Sequence, residues 1–238
     1  MMQGILLVNL GTPDAPTAPA LRKYLAEFLG DRRVVELPRL LWWPILHGII
    51  LRTRPAKSAA KYGRIWTKEG SPLKVHTEKQ AKLVKGLIGH CSIGDVTVAW
   101  AMRYGQPAVA TALDQLQRDG VDRVVVVPLY PQYAGSTTAS TQDAVEAWRR
   151  RNPGAPELIQ IADFHQHPGY IGALAQSIRD HWMAQGRPDK LVMSFHGIPK
   201  RSVARGDPYE SQCRRTAELL ATELDLPAES WQLTFQSR

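Results

Sequence analysis

The chain has 238 residues, of which 44% are hydrophobic and 22% charged, as in an average soluble globular protein, and this excludes a disordered or fibrous protein. Lysine and arginine number 30 against 22 aspartate and glutamate residues, which gives a formal net charge of +8. Such an excess suits nucleic acid, an anionic membrane surface or an acidic substrate, and composition alone does not choose between these partners.

Apolar runs and turn residues divide the first part of the chain into strands and helices. The uninterrupted apolar run of residues 4–10 is typical of a buried strand, and Gly11-Thr12-Pro13 ends it. Asn152-Pro153-Gly154 breaks the last helix of this part. The predicted strands are 4–10, 95–102 and 122–127, and the predicted helices are 17–29, 71–88, 107–118 and 138–151.

Residues 40–51 form a strongly apolar stretch without a full charge, with Trp42 and Trp43 inside it and basic residues on both sides. The stretch is well short of the ~20 residues that a membrane-spanning helix needs, and Pro44 interrupts it. It is interpreted either as a core helix with basic ends or as an exposed apolar lip, on a ligand pocket or at a membrane interface. The flanking basic residues are Arg32, Arg33, Arg39, Arg52, Arg54 and Lys57.

The alternation restarts after the break, with strands predicted at 158–162, 190–195 and 231–235 and helices at 168–184 and 207–224. Strands that alternate with helices form parallel sheets covered on both faces. We therefore expect an α/β protein of two such units, residues 1–151 and 152–238. The last predicted strand lacks a covering helix, which leaves open both a truncated second unit and a finished domain.

Cysteine content and the N-terminus indicate a reducing, cytoplasmic setting. Cys91 and Cys213 are far apart and outside any C-x-x-C motif, so a disulfide framework and a four-cysteine zinc site are excluded. The N-terminus has no basic region and too short an apolar stretch for a signal peptide. We expect no transmembrane helix.

The histidines offer one candidate at a strand end. His196 follows the apolar strand 190–195 and precedes Gly197-Ile198-Pro199, and ligands of open α/β sheets bind beyond the carboxyl ends of strands. A structural and a functional role both remain open for it. His165 and His167 form an H-x-H pair without a visible third ligand, which disfavours a metal site. The dinucleotide, P-loop, G-x-S-x-G and H-E-x-x-H motifs are all missing.

Two further groups follow predicted strands. Residues 128–133 hold two prolines and two tyrosines ahead of a serine/threonine cluster, which suits either a rigid strand exit with a helix cap or a wall for a flat ligand. Arg103 follows the strand 95–102, and its guanidinium suits a carboxylate.

Taken together, these residues resemble the ferrochelatase family, the enzymes that insert ferrous iron into a porphyrin. No single segment is diagnostic, but eight occur in the family's order along the whole chain. They are residues 7–13, 28–31 with 37–38, 70–73, 102–104, 128–133 with 136–138, 194–199, 205–209 and 235–238.

The resemblance implies the class II chelatase fold, two Rossmann-like halves with the porphyrin in the cleft between them. His196 matches the histidine over the porphyrin centre, which contacts the metal or accepts pyrrole protons. Neutral imidazole can do either near neutral pH, so His196 is the expected catalytic and metal residue. Residues 40–51 match the family's apolar lip. The positions that match porphyrin-binding residues are Arg54, Tyr62, Ser71, Arg103 and Tyr130.

Three departures from the family pattern refine the expectation. The pattern stops where family members continue for about another quarter of their length, including the glutamate that faces the histidine, so the 238-residue chain alone should be weak or inactive. Leu10 stands where the branch that metallates coproporphyrin has a tyrosine, which favours protoporphyrin IX. Gly135 stands where some members have a cysteine ligand of an iron–sulfur cluster, so we expect no such cluster.

The leading hypothesis is therefore a lyase of haem biosynthesis that inserts Fe²⁺ into protoporphyrin IX, with iron as substrate and no required cofactor. Alternatives are a cobalt chelatase of corrin synthesis and a non-catalytic tetrapyrrole-binding fragment. The basic flanks of residues 40–51 favour peripheral contact with anionic membrane at its inner face. Nucleic acid is not expected, because no binding motif accompanies the charge.

Overall fold

The structure, a computed structural model of the chain, describes residues 2–90 and 96–236. It contains two compact units. The first comprises Met1–Leu129 and Ser136–Ala162, and the second comprises Tyr130–Gly135 and Asp163–Arg238. Cys91, Asp95 at the start of a predicted strand, and Ser237-Arg238 of the last family segment lie outside the described residues.

A four-stranded parallel sheet organises the first unit. Its strands are β1 (Gln3–Gly11), β2 (Val96–Tyr104), β3 (Arg123–Pro128) and β4 (Glu157–Gln160), in the order β2-β1-β3-β4. Because β1 is central, with Leu7 paired to Trp100 on one side and Val127 on the other, its residues 5–8 are all apolar. The predicted α/β class with parallel sheets is confirmed.

Six α-helices accompany this sheet in the described part of the first unit: α1 (Ala18–Gly30), α2 (Arg39–Ile45), α3 (Leu51–Ile65), α4 (Pro72–His90), α5 (Val109–Arg118) and α6 (Ser140–Arg149). Two π-helical turns, Leu46–Ile50 and Gly135–Ala139, precede α3 and α6. One core cluster joins Leu113 and Trp148 to the sheet, and another packs Leu21 and Leu25 of α1 against Leu46.

The apolar stretch 40–51 is an exposed lip and not a core helix. Leu40 is 90% exposed and Trp43 58%, whereas Leu46 and Leu51 are buried. Trp42 anchors the stretch, because its Nε1 donates a 2.7 Å hydrogen bond to the carbonyl oxygen of Leu29. Among the described residues, no helix is long and apolar enough to cross a membrane.

The second unit is built on two parallel strands, β5 (Leu191–His196) and β6 (Trp231–Gln236). Its helices are α7 (Pro168–Gln185), α8 (Lys200–Ala204) and α9 (Tyr209–Glu223), and a short 3₁₀ turn, Ala228–Ser230, leads into β6. Met193 of β5 packs with Ala175 of α7 and Leu220 of α9 in its core.

The boundary between the units differs from the expected division after residue 151. Strand β4 pairs with β3, with Arg123 opposite Glu157, so the chain remains in the first unit as far as Ala162. The residues 130–135 belong to the second unit, where the amide of Phe164 donates to the carbonyl oxygen of Pro131 at 2.9 Å. Both differences depend on partners distant in sequence, which local patterns do not reveal.

Candidate functional site

His196 is the last residue of β5, and its exposed side chain stands at the carboxyl end of the strand. The residues that follow it line a pocket of about 590 Å³. Within residues 2–90 and 96–236 the imidazole makes no hydrogen bond or ion pair. The pocket is lined by Gly197, Ile198, Pro199, Lys200, Val203, Tyr209, Glu210 and Phe235.

The main chain around His196 is fixed although its side chain is exposed. His196 pairs with Gln236 across the sheet, and the amide of Gly197 donates to the carbonyl oxygen of Gln236. The main chain of His196 also hydrogen-bonds to the Tyr209 side chain, whose pKa is raised chiefly by burial and further by neighbouring Cys213. The imidazole is therefore available for a proton or a metal ion on a rigid support.

Arg103, the predicted carboxylate-binding residue, is held by an internal acid. Its Nη2 donates to Oδ2 of Asp31 at 2.7 Å, and its Nε donates to the Ser140 hydroxyl, also at 2.7 Å. The side chains of Arg103 and Asp31 are only 19% and 10% exposed. Its charge is thus balanced within the protein, which the sequence did not predict.

The carboxylate of Asp31 accepts four donors, with the Arg33 amide on Oδ1 at 2.7 Å and the other three on Oδ2. Besides Arg103, Oδ2 accepts from the hydroxyls of Ser140 at 2.6 Å and Tyr104 at 2.8 Å. Burial alone would raise the pKa of Asp31, but hydrogen bonds from Ser140, the Arg33 amide and Tyr104, with the charge of Arg103, hold it below its ordinary value. The hydrogen bonds of Asp31 therefore connect the end of α1 with the end of β2 and the start of α6.

Ser71 and Tyr62, two more of the predicted porphyrin residues, belong to the framework of the first unit. Ser71 is 4% exposed and its hydroxyl accepts a 2.8 Å hydrogen bond from Thr12. Tyr62 packs edge-on against Tyr24 and Trp66, with ring centroids 6.5 and 6.4 Å apart. Burial raises the pKa of Tyr62, although a hydrogen bond with Tyr24 opposes this.

Arg54 on α3 is the contrasting case, because it is exposed and makes no ion pair within the described ranges. It lies in residues 37–68, a stretch with seven lysine and arginine residues and no aspartate or glutamate. Most of the basic residues that flank residues 40–51 belong to this stretch, and its lack of acidic residues can also be read from the sequence. Four of its basic residues share one helix face at i, i+3, i+7 and i+10 spacing, and they are Arg54, Lys57, Lys61 and Arg64.

Tyr130 begins the short segment of the second unit, residues 130–135, and is partly buried. The segment is hydrogen-bonded to α9 and to the loop before α7, which places Tyr130 at the edge of an ordered polar network. Tyr130 and His196 are therefore the predicted site residues of the second unit, whereas Arg54, Tyr62, Ser71 and Arg103 belong to the first.

The H-x-H pair is structural in this fold. Nδ1 of His165 lies 2.6 Å from Oδ1 of Asp163, and the side chain of His167 accepts the amide of Gly169 at 3.2 Å at the start of α7. No group of three potential ligands occurs in the part of the chain that the structure describes.

Two α/β units, each built on a sheet of parallel strands, and an exposed histidine at a strand end are features of the chelatase fold. The structure aligns with SirB from Bacillus subtilis with Fe³⁺ at a TM-score of 0.54 and 14% identity, covering 100% of this chain and 66% of that one. The likeness shows the fold alone. The sequence model of the family named Ferrochelatase matches residues 2–238, and the chain belongs to the ferrochelatase family.

Similar proteins share much of its sequence. The chain is 62% identical over 235 residues to a ferrochelatase of Aromatoleum aromaticum and 61% identical over 234 residues to one of Methylibium petroleiphilum. These matches cover 99% and 98% of this chain but 64% of each relative, less than the three quarters that the resemblance led us to expect. Neither relative supports the cobalt chelatase alternative.

Proposed function

We propose that the natural full-length protein is a ferrochelatase, a lyase of haem biosynthesis. It inserts Fe²⁺ into protoporphyrin IX, so that two pyrrole N–H bonds break, two protons leave and the metal binds the four ring nitrogens. The family membership and the names of the relatives support this proposal. The observation that carries it on the chain itself is the exposed imidazole of His196 at the end of β5, which has no partner among the residues that the structure describes.

His196 takes a pyrrole proton or contacts the incoming ion, both of which an imidazole does near neutral pH. Its fixed main chain supports this role, since a proton acceptor must lie within hydrogen-bond reach of the proton it removes. The exposed side chain can also pass the proton on to water.

The two arginines take different roles in this proposal. Arg54, exposed and without an acidic partner among the described residues, binds a propionate of the porphyrin, because a guanidinium pairs well with a carboxylate. Arg103 is already balanced by Asp31, so it acts by holding the end of β2. Tyr62 and Tyr130 complete the proposed porphyrin contacts, and buried Ser71 supports them from the framework through its hydrogen bond with Thr12.

An anaerobic assay of the full-length protein tests the reaction. Addition of Fe²⁺ should abolish protoporphyrin fluorescence, and the His196→Ala variant should lose this activity. His181→Ala is the matched control, because His181 is also exposed, on α7. An unimpaired His196→Ala enzyme would overturn the role of His196, and an inactive wild-type protein would overturn the proposed function.

We also propose that the lip, residues 40–51, contacts the anionic inner face of the membrane from the cytoplasmic side. Exposed Leu40 and Trp43 within the acid-free basic stretch, residues 37–68, support this, since apolar and cationic groups together favour anionic bilayers. The protein should sediment with phosphatidylglycerol vesicles more than with phosphatidylcholine vesicles. The Trp43→Ser substitution should weaken binding to the phosphatidylglycerol vesicles. Leu87→Ser is the control and should leave this binding unchanged, because Leu87 is exposed on α4, outside the lip. Equal binding to both vesicles would contradict it.

A resident iron–sulfur cluster does not fit the residues that the structure describes, and we propose that none is held. Gly135 offers no ligand, and a Cβ there would meet Oδ2 of Asp207 at 3.2 Å. Cys213 is buried, and burial raises the pKa of its thiol to about 11, whereas thiolates are the ligands of such clusters. An iron–sulfur absorption band in the purified protein would contradict this proposal.

A further inference from the structure

One face of α9 carries the hydrogen-bond acceptors for residues 130–135. Oε1 of Gln212 accepts the amide of Tyr133 at 2.6 Å, and Oγ1 of Thr216 accepts Nε2 of Gln132 at 2.9 Å. Positions 212 and 216 are one turn apart on the helix. Just ahead of the helix, Oδ2 of Asp207 accepts the amide of Gly135 at 2.8 Å.

These hydrogen bonds hold residues 130–135 in place. Residues 130–134 form neither helix nor strand, so their position depends on these side chains and on the amide of Phe164, which donates to the carbonyl oxygen of Pro131 at 2.9 Å. Gln132 and Thr216 are buried, at 7% and 1% exposure, and the Thr216 hydroxyl lies 2.9 Å from the carbonyl oxygen of His165. The segment that begins with Tyr130 is thereby fastened to α9.

The same end of α9 also reaches His196. Oδ1 of Asp207 accepts the amide of Tyr209, the first residue of the helix, at 3.0 Å. The side chain of Tyr209 lines the same pocket as Gly197, the residue that follows His196, and a hydrogen bond with the main chain of His196 lowers its pKa against the larger effect of burial. Asp207 therefore holds the Tyr130 segment with one carboxylate oxygen and the support of His196 with the other.

We propose, resting on the ferrochelatase function proposed above, that Asp207 is a positioning residue for metal insertion. Its two oxygens set the distance between the segment of Tyr130 and the imidazole of His196. Only a short carboxylate supplies two acceptors to two amides here. Asparagine has nearly the same shape but only one side-chain acceptor, so it leaves one of the two amides without its bond.

The test compares Asp207→Asn with wild type in the full-length protein. The control is Glu218→Gln, which removes the same charge from an exposed residue of α9 paired with Arg215. We expect the kcat of iron insertion to fall about tenfold or more in Asp207→Asn, since small misplacements of reacting groups have large kinetic costs. The Kd for protoporphyrin, from fluorescence without metal, should change less than about threefold, because the Arg54 contact is intact.

Tyr209→Phe provides a second test that keeps the ring and removes the hydroxyl contact to His196, and the same split between kcat and Kd is expected. An unchanged kcat in a folded Asp207→Asn protein overturns the proposal. If Asp207→Asn does not fold, an unchanged kcat in Tyr209→Phe overturns it. Equal losses of kcat and porphyrin affinity indicate a merely structural role and also overturn it. A wild-type protein without activity refutes the proposed function instead.

Discussion

The guanidinium of Arg103 is paired with the carboxylate of Asp31, with Nη2 and Oδ2 separated by 2.7 Å. Tyr104 and Ser140 donate to the same carboxylate oxygen. Because its charge is neutralised, Arg103 stabilises the local structure and adds little to the positive potential of the surface. The basic excess of the chain must therefore act elsewhere, and the acid-free residues 37–68 hold seven of its cations.

Replacing Asp31 by asparagine should strongly destabilise the first unit. The change leaves the charge of Arg103, which is 19% exposed, without its partner, and breaking such a buried pair costs about 3 kcal/mol. Urea unfolding measures the loss. The control is Asp143→Asn, which breaks an exposed pair with Arg33 and should cost less than about 1 kcal/mol. Equal effects of the two substitutions would contradict the role given to Asp31.

The stabilisation by Asp31 should depend on pH with a defined sign. Its folded pKa lies below the ordinary value of 3.8, so the ionised form stabilises the fold above that value and this contribution is lost as pH falls through the folded pKa. The difference in unfolding free energy between wild type and Asp31→Asn should be full at neutral pH and shrink below about pH 4. Other acids titrate in both proteins. A difference that stays constant down to about pH 3 would contradict this assignment.

Arg54 should influence porphyrin affinity without influencing stability. Because Arg54 is exposed and unpaired among the described residues, Arg54→Gln should leave urea unfolding unchanged. It should raise the Kd for protoporphyrin about threefold at low salt, and the effect should vanish at high salt because exposed charges are screened. Fluorescence titration at low and at high salt measures the Kd and its salt dependence. Arg64→Gln, on the same face of α3, is the control, and an equal effect there would indicate general attraction in place of a specific contact.

The sequence predicted what depends on local pattern. The apolar run of β1, the proline that opens α4 and the position of His196 after β5 could all be read from neighbouring residues. The pairing of β4 with β3 and the bonding of residues 130–135 to Gln212 could not, because their partners are distant in the chain. Asp31 lay in a family segment, yet nothing local indicated that it would neutralise Arg103.

Cys213 should be inert in the folded protein. Its side chain is buried, and burial raises the pKa of the thiol to about 11, although a hydrogen bond with Tyr209 opposes this. The thiolate is the reactive form. In a Cys91→Ser background, reaction with an aromatic disulfide reagent at pH 8 should therefore follow global unfolding in urea. Rapid reaction without denaturant would show that α9 opens locally.

Gly11 should be irreplaceable where β1 ends. Its φ is +116°, and a Cβ there would lie 1.8 Å from the carbonyl oxygen of Tyr104, to which Gly11 is paired across the sheet. Since backbone atoms cannot yield as a flexible side chain can, Gly11→Ala should cost more than about 4 kcal/mol or prevent folding. Gly63→Ala is the matched control, because Gly63 lies in α3 with nothing within 4 Å of its would-be Cβ, and it should be neutral or stabilise by up to about 1 kcal/mol. Circular dichroism and urea unfolding measure both variants. A stable Gly11→Ala protein would mean that the ends of β1 and β2 can separate. The contacts of Tyr104 with Gly11 and with Asp31 would then not be what holds these two strand ends together.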